Sequence, residues 1–327
     1  KIKHIVLIPC YNEDYEIIRD TLESLKKVKI DLNKIIVLIG YEQRGGKQIE
    51  ESVSRLKDEY SNYFGDLEAI MHPDNLEGEI KAKGANMYYA INTYLDKSKL
   101  SKEDKDNALV TTIDADHIVH EQYFNLVEIM YVNDPKRDQV SFQPIPLFFN
   151  NLWQAPAVSR LQAINNTFWM IIESMRPYHL RNFAAHSQSL NSLIKTDFWS
   201  KTTIVEDGHQ YWRNYFAFDG DYRVVPIFFP IYQDAVLSGS LVSTLVAQFY
   251  QLRRWSYGVS DFPYVVTQFI NNKKIGLVNK IIQISRLFEG YFVWATAPIF
   301  LLLSVRVPLF LRDDNSTIIT RELPKIA

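Results

Sequence analysis

Residues 108–116, with the sequence ALVTTIDAD, join an apolar strand pattern to a pair of carboxylates. The first six residues are apolar or β-branched, as in a strand that is covered on both faces. Asp114 and Asp116 follow at once, with only Ala115 between them. Both carboxylates are therefore expected to face one ligand beyond the end of this strand.

Strand and helix patterns alternate upstream of this segment. They fall, in chain order, at residues 4–9, 17–25, 34–40, 48–60, 67–71 and 81–95. This alternation predicts an α/β fold with an open, mostly parallel sheet flanked by helices and joined by right-handed crossovers. Such sheets bind ligands at the carboxyl ends of their strands, and Asp114 lies at such an end.

Composition favours a folded protein that does not bind nucleic acid. The chain has 327 residues, of which 47% are hydrophobic and 23% are charged. Lysine and arginine total 36 against 38 acidic residues, so no overall basic charge attracts a nucleic acid. The single cysteine, Cys10, forms no internal disulfide, which fits a reducing compartment on the cytoplasmic side of a membrane. The first residues already have a strand pattern, so no signal peptide is visible.

The end of the chain has a different character from the rest. Amphipathic patterns at residues 262–270 and 280–288 precede an apolar run at 291–305, which resumes at 307–311 after Arg306. We predict interfacial helices over residues 259–327 and a transmembrane segment at about residues 290–311. An ordinary buried helix is the alternative explanation of this run.

The two carboxylates of the DAD turn suit a divalent cation. Hard oxygen ligands favour Mg²⁺ or Mn²⁺, ions that commonly share their coordination with substrate phosphates. His117, next to Asp116, is a further candidate ligand. A solvated acidic turn has the same sequence pattern, so the spacing alone does not decide between the two.

A second acidic pair, Glu206 and Asp207, precedes Gly208. A carboxylate can act as a general base toward a hydroxyl group, and Asp207 is the candidate for that role. The competing explanation is a helix N-cap, which aspartate also favours.

A third motif combines an amide, a cation and an indole at Gln251, Arg254 and Trp255. Arginine stabilises the negative charge on a departing diphosphate, and tryptophan offers a flat surface to a sugar ring. A basic and aromatic cluster at a membrane interface is the alternative.

Taken in order, these motifs resemble glycosyltransferase family 2, in particular its membrane-associated branch of cellulose, chitin and hyaluronan synthases. The resemblance rests on residues 9–13 (PCYNE), the DAD turn at 114–116, Glu206-Asp207 and the Gln-x-x-Arg-Trp element at 251–255. It implies a GT-A fold and a metal-dependent, inverting transfer of a sugar from a nucleotide-diphosphate donor, most often a uridine one, to a carbohydrate or lipid acceptor.

The resemblance also implies a role for each motif. Asp114 and Asp116 would hold the metal and the donor, and Asp207 would be the base beside Glu206 and Arg254 in the catalytic group. The substrate-binding residues would be Tyr11, Glu13, Glu42, Lys83, Gln251 and Trp255, together with Asp114. Residues 1–118 would form the nucleotide-sugar half and residues 119–258 the acceptor half of one catalytic domain.

Three of these assignments rest on inexact matches. Residues 81–86, KAKGAN, are similar to a donor-binding stretch of the family and suggest Lys83, although a solvated lysine is the simpler interpretation. The turn after the second strand, residues 40–44, has Glu42 where the family often has an aspartate-rich turn, which leaves the nucleobase open. Val205 replaces the first residue of the usual Thr-Glu-Asp triplet.

Two other classes of function compete with this one. A non-catalytic module of the same fold would bind a nucleotide-sugar or a polysaccharide without transferring it. A nucleotidyltransferase would favour a Gly-rich, basic phosphate loop after the first strand, which residues 9–12 do not provide.

Overall fold

A computed structural model of the chain describes residues 2–311, and the last part of the predicted C-terminal region, 312–327, lies outside the described residues. The chain divides into two compact units between Gly258 and Val259. The described residues form eight strands: β1 (Lys3–Cys10), β2 (Ile35–Glu42), β3 (Asp66–His72), β4 (Ala108–Thr112), β5 (Ile118–Val119), β6 (Val140–Leu147), β7 (His186–Ser189) and β8 (Arg223–Tyr232).

Helices of the first unit lie between and after these strands. They are α1 (Tyr15–Lys26), α2 (Gly46–Tyr60), α3 (Lys83–Lys97), α4 (Lys102–Asp106), α5 (Tyr123–Asn133), α6 (Ala157–Ser174), α7 (Leu190–Lys195), α8 (Glu206–Ala217) and α9 (Leu241–Ser256).

All eight strands belong to one sheet with the order β3-β2-β1-β4-β7-β6-β8-β5. The pairs β1–β2, β2–β3, β1–β4 and β6–β8 are parallel, whereas β7 joins β4 and β6 in antiparallel orientation and β5 joins β8 likewise. The predicted α/β fold with a mostly parallel sheet flanked by helices is therefore confirmed.

Alternate side chains of the central strands enter two apolar cores, one on each face of the sheet. Ile8 of β1 lies in one core with Leu22 of α1, and Leu7 lies in the other with Ile91 of α3. This burial on both faces explains the continuous apolar runs in the sequence, because a strand with helices on both sides has no solvent-facing position.

A buried asparagine fixes the carboxyl ends of β1 and β2. The Asn86 Nδ2 group donates to the carbonyl oxygens of Gly40, at 2.9 Å, and Cys10, at 3.4 Å. A Cβ at Gly40 would lie 2.3 Å from Asn86 Oδ1, so only glycine leaves room for this contact. The start of α3 is thereby tied to the strand ends at which ligands bind in such folds.

β7 and β8 were not predicted. Residues 186–191 had only a polar pattern, yet β7 lies in the middle of the sheet with all four side chains buried. The Ser187 hydroxyl bonds the hydroxyls of Thr111, at 2.6 Å, and Tyr123, at 2.8 Å, so the polar side chains are satisfied inside the protein. β8 lies between the second acidic pair and the Gln-x-x-Arg-Trp element, in a segment that contains no motif.

The second unit contains α10 (Asp261–Asn271) and α11 (Leu277–Leu311). The predicted patterns at 280–288 and about 290–311 belong to one continuous helix, which confirms an apolar C-terminal helix. Among the described residues, the segment Leu277–Ser304 of α11 is long and apolar enough to cross a membrane, by length and composition.

An ion pair connects α5 to the amino-terminal ends of β1 and β2. The Glu128 carboxylate accepts hydrogen bonds from His4, at 3.3 Å, and from Lys34, at 2.9 Å. The hydrogen bond from His4, followed by that from Lys34, lowers the pKa of Glu128 to about 2 against the opposing effect of burial.

Glu128→Gln should lower the free energy of unfolding at pH 7 by about 1–3 kcal/mol. Because the pKa of Glu128 is depressed in the folded state, its stabilisation is complete above the ordinary value of 4.5 and disappears as the pH falls through about 2. Urea unfolding at a series of pH values measures this difference. Glu121→Gln, which removes an exposed partner of Lys29, is the control and should change stability little.

Candidate active site

The DAD turn follows β4 at the carboxyl edge of the sheet, where Asp114, Asp116 and His117 come together. One ligand atom from each of the three residues lies within 4.8 Å of the others. His117 is buried, whereas the two carboxylates are partly exposed and accessible from solvent. The site therefore has two accessible carboxylates held over a buried imidazole.

The hydrogen bonds of His117 define its role more closely. Its Nδ1 atom accepts the backbone N–H of Asp114 at 3.0 Å, so in the neutral ring the proton lies on Nε2. That Nε2 is 3.5 Å from Asp114 Oδ2 and 3.9 Å from Asp116 Oδ1. In this arrangement His117 orients the two carboxylates, and Nε2 could bind a cation only with the ring proton on Nδ1, which would break the hydrogen bond from the Asp114 N–H.

Lys83 connects the DAD turn with the second acidic pair. Its Nζ lies 2.5 Å from Asp114 Oδ1 and 3.3 Å from Glu206 Oε1. Lys83 is the first residue of α3, and Glu206 is the first residue of α8. Sequence positions 83, 114 and 206 thus meet at one ammonium group.

A glycine makes this approach possible. A Cβ at Gly84 would lie 2.5 Å from the carbonyl oxygen of Ser200 and 3.2 Å from Cβ of Glu206. The backbone of the preceding loop is also held, because the N–H of Ile80 donates to the carbonyl oxygen of Lys201 at 2.9 Å. Without a side chain at position 84, α3 can begin against the segment that leads into α8.

The charges of the site shift one another's pKa values. Burial acts against the charged form of Lys83, but the negative charges of Asp114 and Glu206 outweigh it and raise the pKa of the ammonium. Burial likewise opposes ionisation of Asp114, yet Lys83 and then His117 hold the pKa of that carboxyl far below its ordinary value. The Lys83–Asp114 pair is therefore ionised at neutral pH.

The pKa of Asp207 is shifted in the direction opposite to that of Asp114. It is the second residue of α8, and its Oδ1 accepts the backbone N–H of Gly208 at 2.7 Å. Burial, together with the charge of Glu206, raises the pKa of Asp207 well above its ordinary value. The helix N-cap is Val205, so Asp207 is not the cap residue that the sequence allowed.

The third motif lies on α9. The positive charge of Arg254 contributes to lowering the pKa of Asp114, which places that guanidinium within electrostatic reach of the DAD turn. Gln251 lines a narrow crevice between α6 and α9, where its Oε1 accepts from Gln248 at 3.0 Å. Trp255 lies half-buried in the last turn of the same helix.

Asp234, which the sequence did not single out, lies in that crevice beside the DAD turn. Its backbone N–H donates to Asp116 Oδ2 at 3.3 Å, and burial together with the charge of Asp116 raises the pKa of its side chain. Asn150 donates to the carbonyl oxygen of Asp116 at 3.2 Å. Neither residue belongs to a recognisable motif, because both come from loops after strands of the second half.

Tyr11 and Arg44 form a stacked pair at the ends of β1 and β2. The Arg44 guanidinium lies 4.3 Å from the centre of the Tyr11 ring. A Cβ at Gly45 would lie 1.9 Å from the Tyr11 carbonyl oxygen, so the turn after β2 packs directly on the turn after β1. Glu13 turns back on this segment, and its Oε2 accepts the backbone N–H of Tyr11 at 2.6 Å.

Glu42 lies within a buried chain of alternating charges. Its Oε2 atom is 3.1 Å from Arg44 Nε and 3.3 Å from His72 Nδ1. His72 continues the chain to Glu79 through Nε2 at 3.0 Å, and Lys201 pairs with Glu79 at 3.3 Å. The Glu42 carboxylate thus orients Arg44 and His72 in the described structure.

No protein-family model matches the chain, and comparison with curated proteins gives no match. Solved structures do match. Mannosyltransferase PcManGT from Pyrobaculum calidifontis, in complex with GDP-Man and Mn²⁺, is 14% identical, with a TM-score of 0.57 over 98% of this chain and 85% of that one. S. aureus TarS 1–349 in complex with UDP-GlcNAc is 13% identical, with a TM-score of 0.55 over 92% and 76%. The chain therefore has the fold of these proteins.

Lys83→Met should destabilise the protein at pH 7 by about 2–4 kcal/mol, because it leaves Asp114 and Glu206 without their shared cation. Removing that cation raises the folded-state pKa of Asp114, so the penalty applies while this carboxyl is ionised and shrinks as the pH falls through the range in which Asp114 takes up a proton.

Thermal unfolding of both proteins from pH 7 to about pH 2 measures this effect. Lys81→Met is the matched control, since Lys81 forms only an exposed pair with Asp74 and should change stability by less than about 1 kcal/mol. Equal losses in the two variants would show that Lys83 does not neutralise the site.

Proposed function

We propose that the chain is a metal-dependent, inverting glycosyltransferase that moves a sugar from a nucleotide-diphosphate donor to a hydroxyl acceptor. The observation that carries the proposal is the contact of Lys83 with both Asp114 and Glu206, because it brings three separate motifs to one point. Neither a solvated acidic turn nor an isolated helix start would hold its carboxylate against the same lysine ammonium group. The fold of solved glycosyltransferases agrees with this assignment.

Asp114 and Asp116 suit a hard divalent cation such as Mn²⁺ or Mg²⁺. Their carboxylate oxygens are accessible and close together, and His117 beneath them fixes their orientation. When bound, the cation would neutralise charge on the donor diphosphate. The matching mannosyltransferase is a complex with both Mn²⁺ and GDP-Man, which supports a cation in this kind of site.

Asp207 is the proposed general base. The acceptor hydroxyl loses its proton to the Asp207 carboxylate while its oxygen forms a bond to the anomeric carbon of the donor sugar. The bond from that carbon to the diphosphate oxygen breaks, so the configuration inverts in a single displacement. A raised pKa suits this role, because a stronger base takes the proton more readily.

Two cationic side chains stabilise the negative charge on the leaving group. Arg254 and Lys83 stabilise the departing diphosphate, and Glu206 holds Lys83 in place for this. Gln251 and Trp255 of α9 line the acceptor side. Tyr11 stacks with Arg44 at the proposed nucleoside end, where Glu13 fixes the backbone and Glu42 fixes Arg44.

We also propose that the donor is a uridine nucleotide-sugar. Uridine is the base that the family resemblance favours, and one matching structure contains UDP-GlcNAc whereas another contains GDP-Man. We further propose membership of family 2, with the catalytic unit on the cytoplasmic side of a membrane and α11 as the anchor. A carbohydrate or lipid acceptor would then be extended at that surface.

Asp207→Asn should reduce sugar transfer by about 10³-fold or more while donor binding persists, because the amide cannot accept the proton. Nucleotide release measured over a panel of nucleotide-sugars and acceptors tests this, with calorimetry for donor affinity. Asp221→Asn, which changes an exposed carboxylate paired with Lys136, is the control. Normal turnover in the Asp207 variant would refute the base assignment, and binding without any turnover in the unaltered chain would favour a non-catalytic module.

Asp116→Ala should abolish the part of donor affinity that depends on divalent metal. Titration of the nucleotide with and without Mn²⁺ gives this difference directly, and the unaltered chain should lose affinity on metal removal whereas the variant should not. Asp20→Ala, at an exposed carboxylate of α1, provides the comparison. Unchanged metal-dependent binding in the Asp116 variant would place the cation elsewhere.

A further inference from the structure

His72, the last residue of β3, lies between two buried carboxylates. Its Nδ1 atom is 3.3 Å from Glu42 Oε2, and its Nε2 atom is 3.0 Å from Glu79 Oε2. The side chains of His72, Glu42 and Glu79 are 7%, 5% and 8% exposed. An ionised carboxylate only accepts hydrogen bonds, and a neutral imidazole has a single N–H to donate. With both carboxylates ionised, the two contacts are therefore hydrogen bonds only when the ring is doubly protonated.

The surroundings of the ring favour this charged form. Within the part of the chain that the structure describes, the groups that face the ring are the two carboxylates and the aromatic ring of Tyr89 on α3, at 5.3 Å between ring centres. Burial opposes the positive charge, but the hydrogen bonds to Glu42 and Glu79 outweigh it and raise the pKa of His72 above its ordinary value of 6.5. The pKa of Glu42 is lowered in turn, mainly by the hydrogen bond from His72 against the opposing effect of burial.

The protonated ring completes an alternating series of charges. Arg44 Nε lies 3.1 Å from Glu42, and Lys201 Nζ lies 3.3 Å from Glu79. Positive and negative groups therefore alternate from Arg44 through His72 to Lys201. A neutral ring would turn a lone pair toward one of the two buried carboxylates, which would lose a hydrogen bond in a place where water cannot replace it.

Arg44 is the member of this series that reaches the proposed nucleoside end of the site. Glu42 engages its Nε atom, and its guanidinium carbon lies 4.3 Å from the centre of the Tyr11 ring. Neither terminal nitrogen of Arg44 has a hydrogen-bond partner among the described residues. A guanidinium fixed in this way presents N–H donors in one plane, and little conformational entropy is lost when a ligand accepts from them.

We propose that His72 is a positioning residue for donor binding, which in its doubly protonated form holds Glu42 and, through Glu42, keeps the Arg44 guanidinium in place for the nucleoside. The inference rests on the proposed function, because it takes the ligand to be a nucleotide-diphosphate. His72 acts through Glu42 and Arg44 and takes no part in the transfer itself. Loss of its proton breaks one hydrogen bond to a buried carboxylate and so weakens the hold on Arg44.

The direction of the pH dependence follows from the raised pKa of His72. The doubly protonated form predominates below 6.5 and is lost as the pH rises through the raised value. Donor affinity should therefore be highest on the acidic side and should decrease above neutrality. If only the protonated form binds, the decrease approaches about tenfold for each pH unit above the pKa.

The charge of the ring can be measured directly in the full chain. Nuclear magnetic resonance of protein labelled with nitrogen-15 in its histidines distinguishes a doubly protonated ring from either neutral tautomer, and His72→Gln identifies the His72 signals. At pH 6.5, where an ordinary histidine is half protonated, most of the His72 rings should carry both protons. A His72 ring that is mainly neutral at pH 6.5 would overturn the proposal.

Calorimetry of UDP and GDP in the presence of Mg²⁺, from about pH 6 to about pH 8.5, measures the effect on binding. His72→Gln should bind several-fold more weakly than the unaltered chain at pH 6 and should lose the decrease in affinity that His72 causes. The titration of the nucleotide phosphate and of Asp207 affects both proteins alike and cancels in the comparison. Identical pH profiles would refute the role of His72. If the unaltered chain bound neither nucleotide, the proposed function would be refuted instead.

A second variant separates positioning from folding. Glu79→Gln removes one negative charge from beside the ring, so the pKa of His72 should fall and the decrease in donor affinity should move to lower pH. Glu77→Gln changes an exposed carboxylate in the same loop and is the matched control, with an unchanged profile expected. Thermal unfolding shows whether each variant is folded. A folded Glu79→Gln protein with the profile of the unaltered chain would contradict the proposal.

Discussion

The contact of Lys83 with Asp114 and Glu206 is the constraint on which the site depends. Two carboxylates at the edge of a sheet repel each other when they lose water, and a shared ammonium makes their approach favourable. The geometry of the fold supports this contact. Asn86 ties the first turns of α3 to the ends of β1 and β2, and the missing side chain at Gly84 lets α8 come close. The local packing and the charge pairing thus require the same backbone positions.

Much of the first half could be predicted from its sequence, because its strands are covered on both faces and its helices are amphipathic. The predicted strand at 34–40 corresponds to β2, and the predicted helix at 48–60 corresponds to α2. β7 could not be recognised, since its polar side chains form hydrogen bonds to Thr111 and Tyr123 that only the folded sheet creates. A search for apolar strands overlooks a strand that is stabilised in this way.

The sequence likewise predicts only part of the candidate site. The motifs indicated which residues to consider, and the structure brings Lys83, Asp114 and Glu206 together. It also adds partners that no motif contains, above all Asp234 beside Asp116. The position of Glu42 depended on His72 and Arg44, which belong to a neighbouring strand and to the following turn. A contact between strands leaves no signature within a short stretch of sequence, so the buried network around Glu42 could not be predicted.

The proposed site also has a consequence for electroneutrality. Asp114, Asp116, Glu206 and Asp207 contribute four negative charges when ionised, and Lys83 and Arg254 contribute two positive ones, which leaves a formal charge of −2. A bare diphosphate approaching such a site meets net repulsion, whereas a divalent cation would balance the charge. In the proposed reaction an anionic donor would therefore enter most favourably as its complex with the cation, or after it, so the charge balance of the side chains would favour an order of binding.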